Sequence, residues 1–472
     1  MNSNDICYLP AYEMRDKIET QELTSLQITE AIIERIEKFN EKINAYCTPT
    51  FDIARENARQ ADKAVKEGKD LPPLHGIPTS IKDLVLTKGI RTTFGCVLYE
   101  NNTPEVDEVV IERLKNAGMV LLGKTNTPAF GHQAVTDNPI FGKTKNPWNL
   151  ERTSGGSSGG AGASVASGMG PLALGSDGGG SIRIPSSFCG VYGLKPSYGR
   201  IPHYPSAGIK WTGLDHYGPI VRYVKDAAIM LDVMAGPFGG DRHSLPKTDI
   251  TYSDLVDIKP KNLKIGYSFD LGFIKAVDPE VEKVVMDSVQ KFGEFGWQPE
   301  KMKMKLKRPE MAFNTLVTAG LAHDLESYLE EWQEQMSPNL VRMVQAGLTY
   351  SAVDLERAMY QRKLIHEEIF KQFQKYDLII TPSTGVYPFE LGKMFPSKIA
   401  GKRASPVAWM SFTFPFNLTG NPAASIPCGW SSEGTPIGMQ IVGKQFDEET
   451  VLQVSKAFEE LQPWQDKRPD LN

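Results

Sequence analysis

Two serine clusters in one glycine-rich stretch are the residues whose types and spacing suggest chemistry. Ser157 and Ser158 lie in GGSSGG, and Ser181 follows three glycines in GSDGGGS. Glycine and serine make up more than half of residues 154–181, although the apolar run PLAL interrupts them. Because glycine costs backbone entropy on folding, the stretch is either a flexible tether or a site where backbone closely approaches a reacting atom. Serine hydroxyls at such a site could act as nucleophiles.

Two glycine patterns of nucleotide-binding proteins also occur, and neither has suitable surroundings. Residues 118–125 match the Walker A pattern GxxxxGK[ST]. A phosphate-binding loop needs loop backbone between its glycines, whereas MVLL (119–122) is typical of a buried strand and Pro128 follows where a helix should begin. A dinucleotide fingerprint beginning at Gly160 lacks its third glycine, because Val165 stands there. We therefore interpret residues 118–125 as a helix cap followed by a core strand.

Residues 155–159 also satisfy GxSxG, the nucleophile elbow of α/β-hydrolases, with Ser157 as nucleophile. That elbow needs a strand immediately before it, and NPWNLERTS (146–154) has no strand character. It also needs an acid and a histidine downstream, for which nothing marks out the available Asp215, His216 and His366. This elbow is the weaker hydrolase hypothesis.

Lys82 completes a pattern that resembles a known family. The blocks GIPTSIKDLV with Lys82, GGSSGG with Ser157 and GSDGGGSIRIPSSFCGVYGLKP with Ser181 resemble those of the amidase signature family, in the family's order and spacing. Similar segments extend from about Ser25 to the C-terminus, namely LLGKTNTPAFG, FGKTKNPWN, DHYGPIVRYVKDAAIMLDVMAG, PFNLTGNPAASIPCG and PIGMQIVG. The resemblance implies an α/β fold, in which a large twisted mixed β-sheet is covered by helices on both faces.

By this resemblance Ser181 is the nucleophile, Ser157 the bridging serine and Lys82 the base. An amide carbonyl is a poor electrophile and a serine hydroxyl a poor nucleophile at neutral pH, so the reaction needs a base and oxyanion donors. A neutral Lys82 would take the Ser157 proton while Ser157 takes that of Ser181. This requires a lysine that is largely neutral near pH 7–8, whereas a free lysine has a pKa near 10.4. The resemblance also implies a cis peptide between Gly156 and Ser157.

Other residues near these blocks have supporting roles. The backbone N–H groups expected to bind the oxyanion are those of Gly178, Gly179 and Gly180. The side chains expected to brace the loops around the triad are Ser158, Asp177 and Arg183. Gly131 matches a family position whose backbone lines the acyl site. Cys189, although close to Ser181, is interpreted as a buried packing cysteine.

Met410 bears on the substrate. In the family's glutamine-hydrolysing component of tRNA amidotransferase, an acidic residue before a PVNLAG-like segment holds the amine of glutamine, and here Met410 stands in its place. The chain is therefore more similar to stand-alone acylamidases and oligoamide or cyclic-dimer hydrolases. We expect it to hydrolyse a small aryl- or alkyl-substituted carboxamide to acid plus amine or ammonia through an acyl-serine, with some esterase activity. Two alternatives stay open, namely a catalytically silent amidase-like binding subunit and a glutaminase-type amidotransferase subunit.

Hydrophobic periodicity predicts the elements that position these residues. Thr24 to Gln27 fits a capping box before an apolar helical stripe, and a second helix is predicted over residues 51–67. A helical stripe begins at Val106 and ends near Gly118. Strands are predicted at 119–122, 263–268, 377–382, 423–429 and 437–443, and around Lys82.

The alternation of strands and helices indicates an α/β protein. No composition break divides it, so we expect one amidase domain over residues 1–472. Within it, residues 1–70 form a helical N-terminal segment, residues 71–220 the catalytic core and residues 270–400 a variable helical segment.

Composition limits the classes of function. The chain has 472 residues, is 40% hydrophobic and 23% charged, and carries a net charge of −5, so no basic field favours nucleic acid or an anionic membrane. No secretion signal is visible in the sequence, and no apolar run approaches the roughly 18 residues of a membrane span, so we expect neither secretion nor a membrane-spanning segment. Its five cysteines include no CxxC pair, which favours reduced thiols in the cytoplasm. We expect no metal or other cofactor and a small-molecule amide as partner, and leave a homodimer open.

Overall fold

A mixed sheet of eleven strands organises the computed structural model, which describes residues 2–205, 211 and 213–471. The α-helices of the described residues are α1 Ser3–Ile6, α2 Ala11–Glu19, α3 Ser25–Ile43, α4 Phe51–Lys66, α5 Val109–Asn116, α6 Gly159–Ala166, α7 Arg183–Cys189, α8 Val224–Met234, α9 Tyr252–Leu255, α10 Pro279–Lys291, α11 Pro309–Leu325, α12 Leu329–Trp332, α13 Pro338–Gly347, α14 Ala352–Phe373, α15 Pro415–Thr419 and α16 Glu448–Leu461. The β-strands are β1 Tyr46–Pro49, β2 Pro78–Lys82, β3 Val120–Thr125, β4 Lys145–Asn146, β5 Asn149–Thr153, β6 Leu172–Ser176, β7 Tyr192–Lys195, β8 Tyr217–Val221, β9 Ile265–Tyr267, β10 Glu300–Lys301, β11 Leu378–Pro382, β12 Lys398–Ile399, β13 Lys402–Arg403, β14 Ala423–Trp430 and β15 Pro436–Gly443.

The order of the large sheet is β1, β3, β2, β6, β8, β7, β14, β15, β11, β9 and β10. Strand β2 runs parallel to both β3 and β6, whereas β6, β8, β7, β14 and β15 are successively antiparallel. The carboxyl ends of parallel strands meet at one edge of a sheet. The carboxyl ends of β2 and β6 therefore lie side by side. Lys82 is the last residue of β2, and Ser181 follows β6.

Both faces of the sheet are buried. Successive residues of a strand point to opposite faces. Ile379 and Ile380, which are successive residues of β11, belong to two different hydrophobic clusters. Helix α3 packs in the cluster with Ile380, and α11 in the cluster with Ile379. The expected α/β architecture with helices on both faces is confirmed.

Most of the predicted elements form close to the predicted positions. The Thr24 capping box opens α3, and α4 covers residues 51–66. Helix α5 begins at Val109 rather than Val106, which is half exposed. The difference arises at Glu108, whose buried side chain accepts a hydrogen bond from the Leu86 N–H and holds the chain outside the helix.

The Walker A match is a core strand, as interpreted. Residues 120–125 form β3, paired between β1 and β2. A side chain at Gly123, whose φ is +138°, would collide with the Thr48 carbonyl oxygen of β1. This glycine therefore allows close strand approach.

The prediction that no strand precedes GxSxG is wrong. Strand β5, Asn149–Thr153, ends just before this motif. It pairs with β4 in a two-stranded ribbon outside the large sheet. Its sequence NLERT lacks apolar alternation because its residues are mostly half-exposed, so periodicity could not find it.

The variable segment, residues 270–400, contains helices α10 to α14 and strands β10 to β12. Among the described residues, no helix is both long enough and apolar enough to cross a membrane.

Candidate active site

Lys82 is the last residue of β2, and its side chain is completely buried. Its Nζ lies 2.7 Å from Ser157 Oγ, 3.0 Å from Ser176 Oγ and 3.4 Å from the Ser176 carbonyl oxygen. Ser176 ends β6, the parallel neighbour of β2, so sheet register brings this pair together. The amine is thus aimed at the first serine cluster.

Ser157 lies in the turn between β5 and α6, after a cis peptide from Gly156. The cis bond that the resemblance implied is therefore present. Helix α6 is built from GGAGASVA and is buried throughout. A side chain at Gly160 would collide with the backbone of Ala45 and Asn126, so only small residues let this helix approach so closely.

Ser181 follows β6 and a turn of glycines, just before α7. It is 8% exposed and lines one pocket together with Ser157 and Ser176. Within the described part of the chain its hydroxyl makes no hydrogen bond, so it is available to a ligand. Ser157 and Ser181 therefore meet in this pocket, and Lys82 contacts it through Ser157.

Asp177 and Arg183 form a completely buried ion pair beside Ser181. Arg183 Nε lies 2.9 Å from one oxygen of Asp177 and Nη2 lies 2.9 Å from the other. Burial would raise the pKa of the Asp177 carboxyl, but the Arg183 guanidinium, with Lys195 and Asn417, outweighs it and holds this pKa well below its usual range. The carboxylate is therefore ionised at neutral pH.

Arg183 is engaged on its other side by the C-terminal part of the chain. Its Nη1 donates to the Thr413 carbonyl oxygen at 2.9 Å and to Gln440 at 2.7 Å, and its Nη2 donates to Asn417 at 2.6 Å. The expectation that Arg183 braces the loop agrees with these contacts. Ser158 also braces, since its hydroxyl donates to the Ser176 carbonyl oxygen at 3.2 Å.

The three glycines before Ser181 do not present equivalent N–H groups. The Gly180 N–H donates to Asp177 at 2.7 Å, which removes it from the expected oxyanion donors. The N–H groups of Gly178, Gly179 and Ser181 have no partner among the described residues. The sequence could not reveal this difference, because it depends on how the aspartate three residues earlier is turned.

The pocket around Ser181 encloses about 420 Å³, open solvent included. Gly131 lies in its wall, where an added Cβ would be 3.0 Å from Ser157 Oγ. The wall also contains residues that sequence reasoning did not assign to the site, namely Leu84, Phe94, Phe130, Trp211, Asp215 and Tyr217. These residues come mostly from loops without periodicity, so no pattern signalled them.

The rings of Phe94 and Phe130 form one wall, with centroids 6.2 Å apart and planes 22° from parallel. Both residues have positive φ, of 52° and 51°, which is uncommon for side chains of this size. Tyr99 packs edge-on against both rings. The wall is therefore a packed aromatic cluster.

Two candidate residues lie outside the pocket wall. Met410 is 9% exposed within the hydrophobic cluster of α11, and it adjoins the site through Thr413, whose hydroxyl lies 2.8 Å from the Met410 carbonyl oxygen. Cys189 is completely buried, and burial raises the pKa of its thiol far above the usual value. This agrees with a packing cysteine.

His216, considered for the elbow hypothesis, is also buried. Its Nδ1 lies 2.7 Å from the Leu214 carbonyl oxygen and 3.1 Å from that of Asp177. Burial lowers its pKa well below the usual value. The ring is thus engaged by backbone rather than by Ser157.

The chain matches known proteins over nearly its whole length. The family model described as Amidase matches residues 27–452. An acylamidase of Rhodococcus erythropolis is 36% identical, over 99% of this chain and 98% of that protein. A glutamyl-tRNA(Gln) amidotransferase subunit of Moorella thermoacetica is 37% identical, over 99% of each chain.

Solved structures with the same fold include two hydrolases. A bacterial aryl acylamidase of the amidase signature family superposes with a TM-score of 0.92 at 28% identity, covering 97% of each chain. A 6-aminohexanoate cyclic dimer hydrolase, complexed with substrate, superposes with a TM-score of 0.90 at 28% identity, covering 98% of this chain and 99% of that one.

Replacing Asp177 with Asn should destabilise the protein strongly at neutral pH. Losing one partner of a buried ion pair costs about 3–5 kcal/mol, and Arg183 would be left without its counter-charge. Because the pKa of Asp177 is depressed in the folded state, its stabilisation is complete above the ordinary carboxyl pKa of about 3.9 and is lost as the pH falls below it. The difference between wild type and Asp177→Asn in urea unfolding should therefore shrink from pH 7 to pH 3.

The matched control is Glu390→Gln, which breaks an exposed pair with Lys393. This change should alter the unfolding free energy by less than about 1 kcal/mol. Equal stability of Asp177→Asn and wild type at pH 7 would contradict the role of the buried pair.

Proposed function

The chain belongs to the amidase signature family and is a hydrolase of carboxamide C–N bonds, and we propose that it works through an acyl-serine intermediate, with Ser181 as nucleophile, Ser157 as bridging serine and Lys82 as base. One observation carries the proposal. The Lys82 amine, completely buried, lies 2.7 Å from Ser157 Oγ, and Ser157 shares a pocket with Ser181.

Acylation begins when the Ser181 hydroxyl attacks the amide carbonyl carbon. Ser157 accepts the Ser181 proton as it gives its own to the neutral amine of Lys82. The relay requires the neutral amine, because only a neutral amine has the lone pair that accepts the Ser157 proton. Collapse of the tetrahedral intermediate breaks the C–N bond, and the proton returns through Ser157 to the leaving amine. Water then attacks the Ser181 ester by the same relay and releases the acid.

We assign the N–H groups of Gly178, Gly179 and Ser181 as the donors that bind the negatively charged oxygen of the tetrahedral intermediate. They are the donors of this turn without partners among the described residues. Losing one such donor typically costs about 10²–10³ in rate. Gly180 is excluded from the set because its N–H binds Asp177.

The substrate we propose is a small carboxamide with an aryl or alkyl substituent. Four large, mainly apolar side chains support this class because they line the pocket: Leu84, Phe94, Phe130 and Trp211. Burying apolar groups against them favours such substrates. The relatives named acylamidase and aryl acylamidase also support a substituted carboxamide as substrate.

Glutamine hydrolysis, as in an amidotransferase, is the second candidate. Asp215 favours it, because this acidic residue lines the same pocket and a carboxylate could hold an ammonium group. The relative from Moorella thermoacetica, at 37% identity, also favours it. Met410 does not line the pocket, whereas Asp215 does. The choice between an apolar carboxamide and glutamine as substrate therefore depends on Asp215.

A serine-directed phosphonate should label Ser181. This hydroxyl follows the oxyanion donors and faces the pocket, whereas the Ser158 hydroxyl donates to backbone. Mass spectrometry of digested, labelled protein should place the adduct on the peptide that contains Ser181. Ser181→Ala should abolish labelling, and Ser158→Ala should keep it. An adduct on Ser157 would instead support the elbow hypothesis.

Replacing Lys82 with Ala or Arg should lower amide kcat/KM by at least about 100-fold, the usual contribution of a general base. Arginine is charged and cannot act as a base at neutral pH, so this variant separates base catalysis from the mere presence of a cation. Circular dichroism checks folding. A folded Lys82→Ala enzyme with more than about a tenth of wild-type activity would refute the Lys–Ser–Ser assignment.

Anilide kcat/KM should exceed glutamine kcat/KM by at least about 100-fold, equivalent to about 2.7 kcal/mol. The physical reason is that the pocket wall is mostly apolar and glutamine carries two charges. Steady-state kinetics with both substrates tests this, and Asp215→Asn is the companion variant. Comparable values for the two substrates in wild type, with glutamine activity lost in Asp215→Asn, would favour the amidotransferase candidate.

A further inference from the structure

The peptide between Gly179 and Gly180 has a glycine on each side, so side chains do little to fix its orientation. If this peptide rotated by half a turn, the Gly179 carbonyl oxygen would point where the Gly180 N–H now points, and the Gly180 N–H would point where the carbonyl oxygen now points. In that orientation the Gly179 carbonyl oxygen would face the Asp177 carboxylate, which now accepts a hydrogen bond from the Gly180 N–H, so the orientation of this peptide decides whether the glycine turn stays bound to Asp177.

Thr413 contacts this peptide from the C-terminal part of the chain. Its hydroxyl donates to the Gly179 carbonyl oxygen at 2.7 Å. Thr413 is completely buried, and a side chain at Gly180 would strike its Oγ1. The Met410 carbonyl oxygen lies 2.8 Å from the same hydroxyl, so the two carbonyl oxygens share its single proton, and the glycine turn lies beside the segment before α15.

Both polar groups of the peptide are thus held. Thr413 binds its C=O, and Asp177 accepts from its N–H at 2.7 Å. The next peptide is fixed as well, because Gly180 O accepts from the Ile184 N–H at 2.7 Å. In a trans peptide the N–H points opposite to the C=O, so the Ser181 N–H is directed away from Ile184. These bonds hold the backbone of the turn that carries the N–H groups of Gly178, Gly179 and Ser181.

We propose that Thr413 is a positioning residue for the oxyanion-binding backbone: its hydroxyl holds the Gly179–Gly180 peptide in the orientation in which the Gly180 N–H binds Asp177, and so fixes the glycine turn that carries the oxyanion donors. The proposal rests on the proposed acyl-serine function. Thr413 acts through the glycine turn and does not itself touch the substrate.

The test compares Thr413→Val, which keeps the shape but removes the hydroxyl, with Thr413→Ser, which keeps the hydroxyl. Phosphonate titration counts active sites, so that kcat refers to folded enzyme. Thr413→Val should lower anilide kcat by at least about tenfold with KM within about threefold, because the loss is confined to the transition state. Thr413→Ser should stay within about threefold of wild type in both constants.

A second measurement separates positioning from a general structural effect. A trifluoromethyl ketone adds to the serine and forms an oxyanion, so its affinity should fall in Thr413→Val by about the same factor as kcat/KM. Affinity for the product carboxylic acid should be unchanged. The matched control is Thr384→Val, which removes another buried hydroxyl that donates to a backbone carbonyl, that of Val386 at 2.8 Å. It should keep wild-type kinetics.

Equal activity of Thr413→Val and wild type, or equal losses in the Val and Ser variants, would overturn the proposal. If Thr413→Val does not fold, Thr413→Ala replaces it, and Ala and Ser variants of equal activity overturn the proposal in the same way. Failure of wild type to hydrolyse the anilide or to label at Ser181 would instead refute the proposed function. The two failures are therefore distinguishable.

Discussion

The ion pair between Asp177 and Arg183 is the interaction on which the site depends. Removing two charges from water is expensive, and mutual attraction compensates only if the remaining hydrogen-bonding groups are satisfied. Here they are satisfied by the glycine turn on one side and by Thr413, Asn417 and Gln440 on the other. The glycine turn before Ser181 is thereby fixed to segments more than two hundred residues further along the chain. Close approach of β6, α7 and α15 is a condition for ionising this aspartate, and the ionised aspartate in turn orients Gly180.

The elements around this pair were largely predictable from periodicity and capping. Helix α3 has an apolar stripe and a capping box, and β3 is an apolar run after a helix-ending glycine. Strand β5 was missed because its exposed, polar residues carry no alternation. The start of α5 was misplaced because the buried side chain of Glu108, through its hydrogen bond from the Leu86 N–H, holds the preceding residues outside the helix. Helix propensity does not report such a contact.

The site was predictable in a different way. Lys82, Ser157 and Ser181 were assigned from their resemblance to family blocks, and no spacing rule would bring a strand end and two turns together. The pocket walls were not predictable, since Phe94 and Phe130 lie in loops and owe their positions to positive-φ backbone and ring packing. Gly180 was assigned as an oxyanion donor because sequence shows three equal glycines, whereas the fold commits one of their N–H groups to Asp177.

Helix α6, with its run of glycine, alanine and serine directly after Ser157 and Ser158, has a consequence for how an amidase of this kind can change its substrate. All of its residues are buried, and side chains added at its glycines would meet neighbouring atoms, so a larger residue there displaces backbone rather than reshaping the pocket. Leu84 lines the pocket but is only partly buried, whereas Trp211 packs on Gly178. New substrate ranges, in nature or in a directed library, are therefore expected to arise at partly buried wall residues such as Leu84 rather than within α6.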